Sequence, residues 1–338
     1  MERSHSKEIL KNVITIKDLA TFSGLSKSTV SRVINNAPNV KPETRERVLR
    51  AIEKLGYQPD ILARGMVTGS LPMVLVIVGD IQNHYFTQSL AGLASRLEQS
   101  GFMVTVVDSG YEHEREVTSI HMARICHFAG IIPMTGFSSE LVNLELKEAD
   151  CPVVLLNCHR DNDLFDRIYG NDFRAGYQAT QALIARGYRK VYHFSGNSAS
   201  SVISSERERG YRQAMQDAGL PITHEMILSG DLRQEGGYQL AQKCLNGQDP
   251  IAICCNNFLM CLGAMKYAQQ QGMTIWKDYG MAICEQPPSF YGNSEFIYVG
   301  PNLQEIGKSA ADLLLERIVH PGKPPESRLY PGLDIYVP

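Results

Sequence analysis

Short apolar runs alternate with helical segments over most of the chain, and this alternation constrains the fold more than any other feature of the sequence. Strand-length runs are predicted at 73–78, 103–107, 130–133, 153–156, 191–194, 251–255 and 279–283. Helices are predicted between them at 87–99, 115–127, 138–148, 176–185, 206–218, 236–245 and 257–271. Because strands that alternate with helices pair in parallel through right-handed crossovers, the pattern predicts an α/β fold.

The runs fall into two blocks, 72–158 and 166–285, which predict two doubly wound parallel-sheet subdomains. Ligands of such sheets bind outside the carboxyl ends of the strands, so the expected ligand site is a cleft between the subdomains. The longest apolar run, 73–78, is far too short to span a bilayer. The N-terminal residues also lack the apolar stretch of a secretion signal, so the expected location is the cytoplasm, away from any membrane.

The N-terminal sixty-six residues predict a small all-α domain of three helices. Thr15 suits the N-cap of the first helix, with Asp18 in capping-box position, and Gly24 suits the turn that follows. The second helix is predicted over 27–35. Pro42 suits the first position of the third helix.

The first two of these helices match the helix-turn-helix pattern. A small residue, Ala20, stands where the helices must touch, and a glycine follows four residues later. Apolar anchors occur at the required spacing: Leu19, Leu25, Val30 and Val33. By count of Lys, Arg, Asp and Glu, residues 1–66 carry a net charge of +5 and the remainder −8. A basic head on an acidic body indicates a polyanionic partner for the head alone.

One continuous stretch of the head reads TIKDLATFSGLSKSTVSRVINNAPNVKPETRERVLRAIEKLGYQPDILARGM. Its segments TIKD, SGLS, TVSRVIN, ETRERV and LGYQPD follow, almost without gaps, the DNA-binding head of the lactose-repressor (LacI/GalR) family, which the chain therefore resembles. The resemblance implies a DNA-binding transcriptional regulator, usually a repressor. Its second helix would lie in the major groove of operator DNA.

The resemblance also implies which residues contact DNA. Lys27, Ser28 and Arg32 would read base edges, because Lys and Arg donate to guanine and Ser to several bases. Phosphate contacts are implied for other residues of the second helix. Met66 stands where the family wedges a leucine into a minor-groove step, and Gly65 before it costs a hinge helix ~1 kcal/mol relative to alanine. The implied DNA-binding residues are Thr15, Lys27, Ser28, Thr29, Ser31, Arg32, Asn35, Arg64 and Met66.

The body contains VGDIQNHYFTQSLAGL, CPVVLLN, GYRKVYHFSG and RERGYRQAMQDAGL, which resemble the family's effector domain, itself similar to periplasmic sugar-binding proteins. The implied ligand-binding residues are Asp80, Tyr85, Phe86, Arg207, Asn256 and Glu285. An arginine with a carboxylate and an amide suits a polyhydroxylated ligand, such as a sugar or sugar derivative. The family's A-N-D is replaced by CNN at 255–257 and its G-F-D-D by ICEQ at 283–286, which predicts a ligand unlike its commonest sugars.

Domain boundaries follow from the pattern and the resemblance together. They are a helix-turn-helix domain at 1–58, a hinge at 59–71, an N-subdomain at 72–158 with 300–325, and a C-subdomain at 159–299 with 326–338. The expected partners are double-stranded operator DNA, a small-molecule effector and a second copy of the chain in a homodimer.

The body alone leaves two other functions open. A solute-binding protein outside the cytoplasm would share its fold, but the basic head argues against that function. An α/β enzyme would need a catalytic constellation, and no G-x-S-x-G elbow, Walker loop or H-E-x-x-H motif occurs. The eight Cys and nine His lack zinc-ligand spacing. No enzymatic activity, metal or cofactor is therefore expected.

Overall fold

The computed structural model describes residues 14–34, 37–57, 65, 69–135, 139–157, 164–196, 201–245, 250–288, 291 and 295–338. The chain divides into two units, Met1–Leu71 and Pro72–Pro338. In chain order the helices are α1 (Ile16–Ser23), α2 (Lys27–Ile34), α3 (Pro42–Leu55), α4 (His84–Gln99), α5 (His113–Ile125), α6 (Glu140–Lys147), α7 (Asp172–Ala185), α8 (Val202–Asp217), α9 (Gln234–Cys244), α10 (Phe258–Gln270) and α11 (Leu303–Val319). The strands are β1 (Leu71–Val78), β2 (Met103–Asp108), β3 (Phe128–Pro133), β4 (Val154–Leu156), β5 (Asp166–Gly170), β6 (Val191–Ser195), β7 (Ile227–Ser229), β8 (Ile251–Cys255), β9 (Tyr279–Ile283), β10 (Ile297–Gly300), β11 (Ser327–Tyr330) and β12 (Asp334–Tyr336).

Helices α1, α2 and α3 pack around one small apolar core in the N-terminal unit, which confirms the predicted three-helix head. The fully or nearly fully buried core side chains are Leu19, Ala20, Val30, Val33, Val48 and Ala51. Gly24 ends α1 at φ +63°, and its N–H donates to the Ala20 and Thr21 carbonyls. The left-handed conformation there favours glycine, and it turns the chain sharply into α2.

Two sheets lie in the second unit. The first consists of β2-β1-β3 and β11-β5-β4, joined where Ile131 bridges Val153. With α4, α5, α6 and α11 it forms the first lobe. The second sheet has the order β12-β10-β9-β8-β6-β7 and forms the second lobe with α7 to α10. Apart from β12, which runs antiparallel to β10, its strand pairs are parallel, as the α/β prediction requires.

The predicted boundaries between the subdomains at 158/159 and 325/326 are displaced in the structure. The first boundary assigns β5 to the second lobe, and the second boundary assigns β11 to it. In the structure these two strands pair with each other in parallel in the first sheet. β5 also continues the sheet from β4. The chain therefore crosses between the lobes after β5, after β10 and after β11. The positions of the crossings depend on which strands pair. The pairing of β5 with β11 joins segments more than 150 residues apart in sequence.

Helices α7 and α8 approach each other through two glycines. A Cβ added at Gly176 would lie 2.1 Å from the Arg207 carbonyl oxygen, and one at Gly210 would lie 2.1 Å from the Phe173 carbonyl oxygen. Neither position has room for a methyl group against rigid backbone. This close contact fixes the spacing of the two helices that carry Asp172 and Arg207, whose side chains meet in the site described below.

Replacing Gly210 by Ala is therefore expected to lower the free energy of unfolding by about 1–3 kcal/mol, because α7 and α8 must move apart. Chemical denaturation followed by the fluorescence of Trp276 measures this. Trp276 is the only tryptophan of the chain, and its Nε1 donates to the Glu295 carbonyl in the second lobe. The matched control is Gly322→Ala, since a Cβ there has open space. Equal midpoints for the two variants would contradict the close-packing argument.

Candidate functional site

The outward face of α2 is polar and cationic. Lys27, Ser28 and Arg32 are exposed, while Val30 and Val33 on the opposite face are buried in the head core. The Ser26 hydroxyl accepts from the Thr29 N–H at 3.2 Å, so Ser26 caps the helix start. Two cations and a hydroxyl on one exposed helix face can donate hydrogen bonds to bases and phosphates.

Thr15 lies exposed at the start of α1, where it is tied to Asp18. The Asp18 Oδ2 accepts from the Thr15 backbone N–H at 2.8 Å and from its hydroxyl at 2.7 Å. These hydrogen bonds, the hydroxyl first, lower the pKa of Asp18 below its ordinary value. Of the other predicted DNA-contacting residues, Thr29 and Ser31 are half-buried on α2. The predictions for Asn35, Arg64 and Met66 fall outside the described residues.

In the second unit, polar and aromatic side chains gather where the carboxyl ends of the two sheets approach each other. Asp80 and Tyr111 follow β1 and β2 in the first lobe, and Asn256 and Glu285 follow β8 and β9 in the second. They line two adjoining cavities, an inner one of about 70 Å³ and an outer one of about 380 Å³. The residues that line both cavities are Asn83, Tyr111, Ser201 and Leu232. These residues therefore mark the constriction between the two chambers.

Arg207 is the centre of the buried wall contributed by the second lobe. Its Nε donates to Asp172 Oδ1 at 2.8 Å and its Nη1 to the Asn256 carbonyl at 2.5 Å. Nη1 also lies 3.8 Å from Glu285 Oε2. All three charged side chains are at most 3% exposed. Burial alone would lower the pKa of Arg207, but Asp172 and Glu285 outweigh it and raise that pKa.

Two polar atoms of this wall have no hydrogen-bond partner among the described residues. They are Arg207 Nη2, a donor, and Asn256 Oδ1, an acceptor, and both are buried. The amide nitrogen of Asn256 is already engaged, since it donates to Ser204 Oγ at 3.2 Å. Buried polar groups in folded proteins are almost always paired, so this donor and acceptor are available to bind a polar ligand.

The opposite wall, contributed by the first lobe, is aromatic. Tyr85 and Phe86 on α4 are buried with ring centroids 5.8 Å apart, edge to face. Phe86 lies 6.4 Å from Tyr111 in turn. Burial raises the pKa of the Tyr85 hydroxyl well above its ordinary value, with Asp172 adding to the effect. The Tyr85 hydroxyl therefore stays protonated, as a donor, at neutral pH.

Asn257 explains one departure from the family pattern. Its Oδ1 accepts from the Met260 N–H at 3.0 Å, which caps α10, and its Nδ2 donates to the Leu232 carbonyl at 2.7 Å. An aspartate could make the first bond but could not donate the second. Leu232 has φ +61°, a conformation uncommon for any residue but glycine. The amide of Asn257 thus holds the loop that forms the constriction.

Glu285 makes the second lobe sensitive to pH. Burial raises the pKa of Glu285 from 4.5 to about 6, against the opposing effects of Arg207 and the Phe258 N–H, which donates to Glu285 Oε1 at 2.6 Å. The folded state therefore favours protonated Glu285. Its contribution to stability is complete below pH 4.5 and is lost as the pH rises through about 6.

Glutamine at position 285 cannot ionise. The free energy of unfolding of the Glu285→Gln variant should therefore rise relative to that of the unsubstituted protein as the pH increases from 4.5 to 7. Denaturation midpoints measured across this range test the prediction. Glu98→Gln, at an exposed position near the end of α4, is the control and should leave the pH profile unchanged. Parallel profiles for the unsubstituted protein and Glu285→Gln would count against the burial effect.

The structure brings all six predicted ligand-binding residues to the cleft. Tyr85, Phe86, Arg207, Asn256 and Glu285 line the inner cavity, and Asp80 lines the outer one. Their role in binding stays a prediction. Asp172, the buried partner of Arg207, stands in Asn171-Asp172, which departs from a family D-N motif, but it was not assigned to the site. Sequence reasoning missed the residues that line both cavities: Asn83, Tyr111, Ser201 and Leu232. Their position just beyond a strand or at a helix start was the available signal, and it is common to many residues without function.

The part of the chain that the structure describes holds no group of three His, Cys, Asp or Glu side chains that could bind a metal ion. Among the same residues no helix is long and apolar enough to cross a membrane.

Comparison with known proteins identifies the family. The family described as periplasmic binding proteins and sugar binding domain of LacI family matches residues 72–333, and bacterial regulatory proteins, lacI family, matches residues 15–60. The HTH-type transcriptional repressor PurR of Vibrio vulnificus (strain CMCP6) is 31% identical over 314 residues, 90% of this chain and 92% of that protein. Catabolite control protein A of Priestia megaterium is 30% identical over 266 residues, 78% and 80% of the two chains.

Solved structures agree with this assignment. The lac repressor dimer bound to operator and the anti-inducer ONPF has a TM-score of 0.82 at 23% identity, covering 95% of this chain and 97% of that one. That likeness shows the fold. The complex of the transcriptional regulator CelR with cellobiose has a TM-score of 0.70 at 25% identity, covering 96% and 98%. The chain therefore belongs to the LacI family of bacterial regulatory proteins, in which a helix-turn-helix DNA-binding domain precedes a ligand-binding domain.

Proposed function

We propose that this protein is a cytoplasmic transcriptional repressor whose operator affinity is controlled by a small hydroxyl-bearing ligand, a sugar or sugar derivative. The observation that carries the proposal is a buried site holding an unpaired donor, Arg207 Nη2, and an unpaired acceptor, Asn256 Oδ1. The same chain presents the exposed cationic face of α2. One chain would thus combine a ligand sensor with a DNA-contacting helix.

The DNA-contacting role rests on the geometry of α2. Its apolar face packs into the head core, so Lys27, Ser28 and Arg32 face outward. In this family the outward face of this helix enters the major groove. Lys and Arg donate to guanine O6 and N7, and the Ser hydroxyl pairs with several base edges. Thr29 and Ser31 are proposed to contact phosphates, which set register without reading sequence.

The class of ligand follows from the unpaired atoms and the wall opposite them. A hydroxyl group both donates and accepts, so neighbouring hydroxyls satisfy Arg207 Nη2 and Asn256 Oδ1 together. The apolar face of a sugar ring can pack on Phe86 and Tyr111, which line the inner cavity. The similarity to the CelR–cellobiose complex supports a carbohydrate ligand. Glu285, one methylene longer than the family's aspartate, favours a ligand different from the commonest family sugars.

Regulation would follow from the cleft lying between two lobes. A ligand that touches both walls favours the closed arrangement of the lobes over the open one. If DNA also prefers one arrangement, ligand and DNA affinities are coupled by the same free energy in both directions.

We further propose a homodimer that uses the first lobe. Helices α5 and α6 carry four large apolar side chains that are at least half exposed: Met122, Ile125, Leu141 and Leu144. The two helices are held together by the Arg124–Glu145 ion pair at 2.6 Å. Monomeric proteins seldom expose a contiguous apolar patch of this kind. A second copy is the occupant that suits it, because two heads would read a two-fold symmetric operator.

An Ile125→Asp substitution is expected to weaken dimerisation by at least about tenfold, because it buries a charge at the proposed interface. Sedimentation velocity across a concentration series measures the change. Val319→Asp, at an exposed position on α11, is the matched control and should leave the dimer intact. A monomeric unsubstituted protein, or an Ile125→Asp variant that remains dimeric, would overturn this interface.

The experiment that tests the whole proposal is fluorescence anisotropy with the DNA upstream of the protein's own coding sequence. Tight binding to one site should weaken by about 10³–10⁵ between 50 and 200 mM salt if six to ten phosphates are contacted. Repeating the titration with sugars, sugar acids and nucleosides should reveal a compound that shifts the affinity. If the protein binds the upstream DNA no more strongly than a scrambled fragment, with or without these compounds, the proposed repressor function is refuted.

A further inference from the structure

A pair of thiols lies beneath the buried wall of the effector cleft. Cys254 near the end of β8 and Cys284 just beyond β9 have their Sγ atoms 3.6 Å apart. Both side chains are completely buried, and neither forms a disulfide. The two strands are neighbours in the second sheet, with Cys254 in register with Ala282. Two cysteines distant in sequence are thus held almost in contact by the fold.

The surroundings of Cys254 favour its ionised form. The Thr180 hydroxyl, whose proton is donated to the Gly176 carbonyl at 2.8 Å, lies 3.6 Å from its Sγ. His193 Nδ1 donates to the Cys254 carbonyl at 3.0 Å, because a carbonyl can only accept. The other ring nitrogen, Nε2, is buried without a hydrogen-bond partner among the described residues. A histidine beside a thiol is an arrangement that can activate a cysteine.

Cys254 and Cys284 differ accordingly in acidity. The hydrogen bond from the Cys284 thiol lowers the pKa of Cys254, and His193 lowers it further. The same bond, together with burial, raises the pKa of Cys284. Cys254 is therefore the more acidic thiol of the pair. Thiolates, and not thiols, react with peroxides.

The pair is linked directly to the effector site. Glu285 follows Cys284 in the chain, and Asn256 lies two residues beyond Cys254. The Cys284 N–H donates to the Cys255 carbonyl at 3.1 Å, which ties the two strand ends together. Cys284 also lies within electrostatic range of Arg207 and Asp172. Arg207 lines the inner cavity and the two cysteines do not, so a small oxidant would have to penetrate beyond the cavity wall to reach the thiols.

We infer that Cys254 and Cys284 form an oxidisable dithiol whose disulfide alters the effector site. The effect on DNA affinity rests on the proposed function, whereas disulfide formation itself does not.

The oxidant is a peroxide, and the reaction has two steps. The Cys254 thiol loses its proton and the thiolate attacks one peroxide oxygen. The O–O bond breaks, a sulfenic acid forms, and the released hydroxide takes up that proton and leaves as water. The Cys284 sulfur then attacks the Cys254 sulfur, the S–O bond breaks, and a second water leaves with the Cys284 proton. Two thiols and one hydrogen peroxide thus give one disulfide and two waters. The sulfurs lose two electrons, and the peroxide gains them.

The disulfide changes the geometry of the site. Its S–S bond is about 2.05 Å long, so the two sulfurs must approach by roughly 1.5 Å. The strand ends that carry Asn256 and Glu285 move with them. Arg207 Nη1, which now lies 2.5 Å from the Asn256 carbonyl and 3.8 Å from Glu285, must then readjust. Oxidation is therefore expected to change the affinity of the site for its ligand and, through it, the affinity for DNA.

The test treats the full-length reduced protein with hydrogen peroxide, blocks the remaining thiols with N-ethylmaleimide and maps the peptides by mass spectrometry without reductant. The expected product is a Cys254–Cys284 linked peptide, two hydrogen atoms lighter than the two thiol peptides and released by dithiothreitol. Cys284→Ser and Cys254→Ala should both lose it, so the result does not depend on one variant folding. The matched control is Cys261→Ser, which changes a buried thiol that is hydrogen-bonded to Met265 Sδ. This variant should still give the linked peptide.

Two results would overturn the inference. One is oxidation of the half-buried Cys126 and Cys151 while Cys254 and Cys284 stay unlinked. The other is a quantitative disulfide that leaves the affinity for upstream DNA unchanged, where a shift of about tenfold is expected for coupled sites. If the protein forms the disulfide but binds no DNA in either redox state, the proposed repressor function is refuted. The linked peptide still shows that the two thiols form a disulfide.

Discussion

Replacement of Arg207 by Met is expected to lower the free energy of unfolding of this protein by about 3–5 kcal/mol. The guanidinium lies 2.8 Å from Asp172 and 3.8 Å from Glu285, and it is 2% exposed. Its removal takes away a cation shared by two buried carboxylates. Chemical denaturation followed by Trp276 fluorescence measures the loss. The deficit should shrink as the pH falls, because protonation removes the negative charges that Arg207 compensates.

Two further variants separate the buried charge from simple loss of packing. Arg212→Met changes an arginine of the same helix that is half exposed and paired with Glu208 at 2.7 Å, and it should cost no more than about 1 kcal/mol. The double variant Arg207→Met with Asp172→Asn carries one buried charge fewer and should recover part of the loss. An Arg207→Met variant no less stable than Arg212→Met would show that the cluster does not stabilise the fold.

Replacement of Arg32 by Ala is expected to weaken binding to the specific operator by about ten- to a hundredfold, corresponding to about 1–3 kcal/mol, and to relax its sequence preference. The side chain lies on the exposed face of α2 and contributes nothing to the head core. Fluorescence anisotropy with specific and scrambled DNA measures both effects. The loss should be far smaller on scrambled DNA, because base contacts contribute little there.

Arg50→Ala is the matched control for Arg32→Ala. Arg50 is a comparably exposed arginine on α3, 3.8 Å from Glu46, and the same charge is removed. The control should lower affinity only slightly and equally for both DNA fragments, as expected for a change in general electrostatics. Equal losses for the two variants on specific DNA would mean that α2 does not read bases.

The elements that could be predicted from sequence are those whose pattern is local. β1, β8 and β9 are continuous apolar runs, and Gly24 and Pro42 fix helix ends by their own backbone preferences. The predicted strands and helices are accordingly present, with ends shifted by a few residues. β5, β7, β10, β11 and β12 were missed because strands of three to five residues carry too little pattern to stand out from loops. The helix α11 was missed as well.

What could not be predicted depends on pairing between distant segments. β5 and β11 join the first sheet because Asp166–Gly170 meets Ser327–Tyr330, and nothing in either segment alone specifies its partner. The candidate site shows the same division. Arg207, Asn256 and Glu285 were predicted through a resemblance to known motifs, whereas Asp172, Tyr111 and Leu232 become part of the site only when the lobes assemble around them.

The threefold crossing between the lobes has a consequence for how the protein is made. Only three residues, 331–333, separate β11 from β12 along the chain, yet one completes the edge of the first sheet and the other the edge of the second. A ribosome delivers them together, after all other strands. Neither sheet can therefore be complete during most of synthesis, and one edge each of β5 and β10 stays unpaired until then. Both lobes therefore complete their sheets late in synthesis, when β11 and β12 become available.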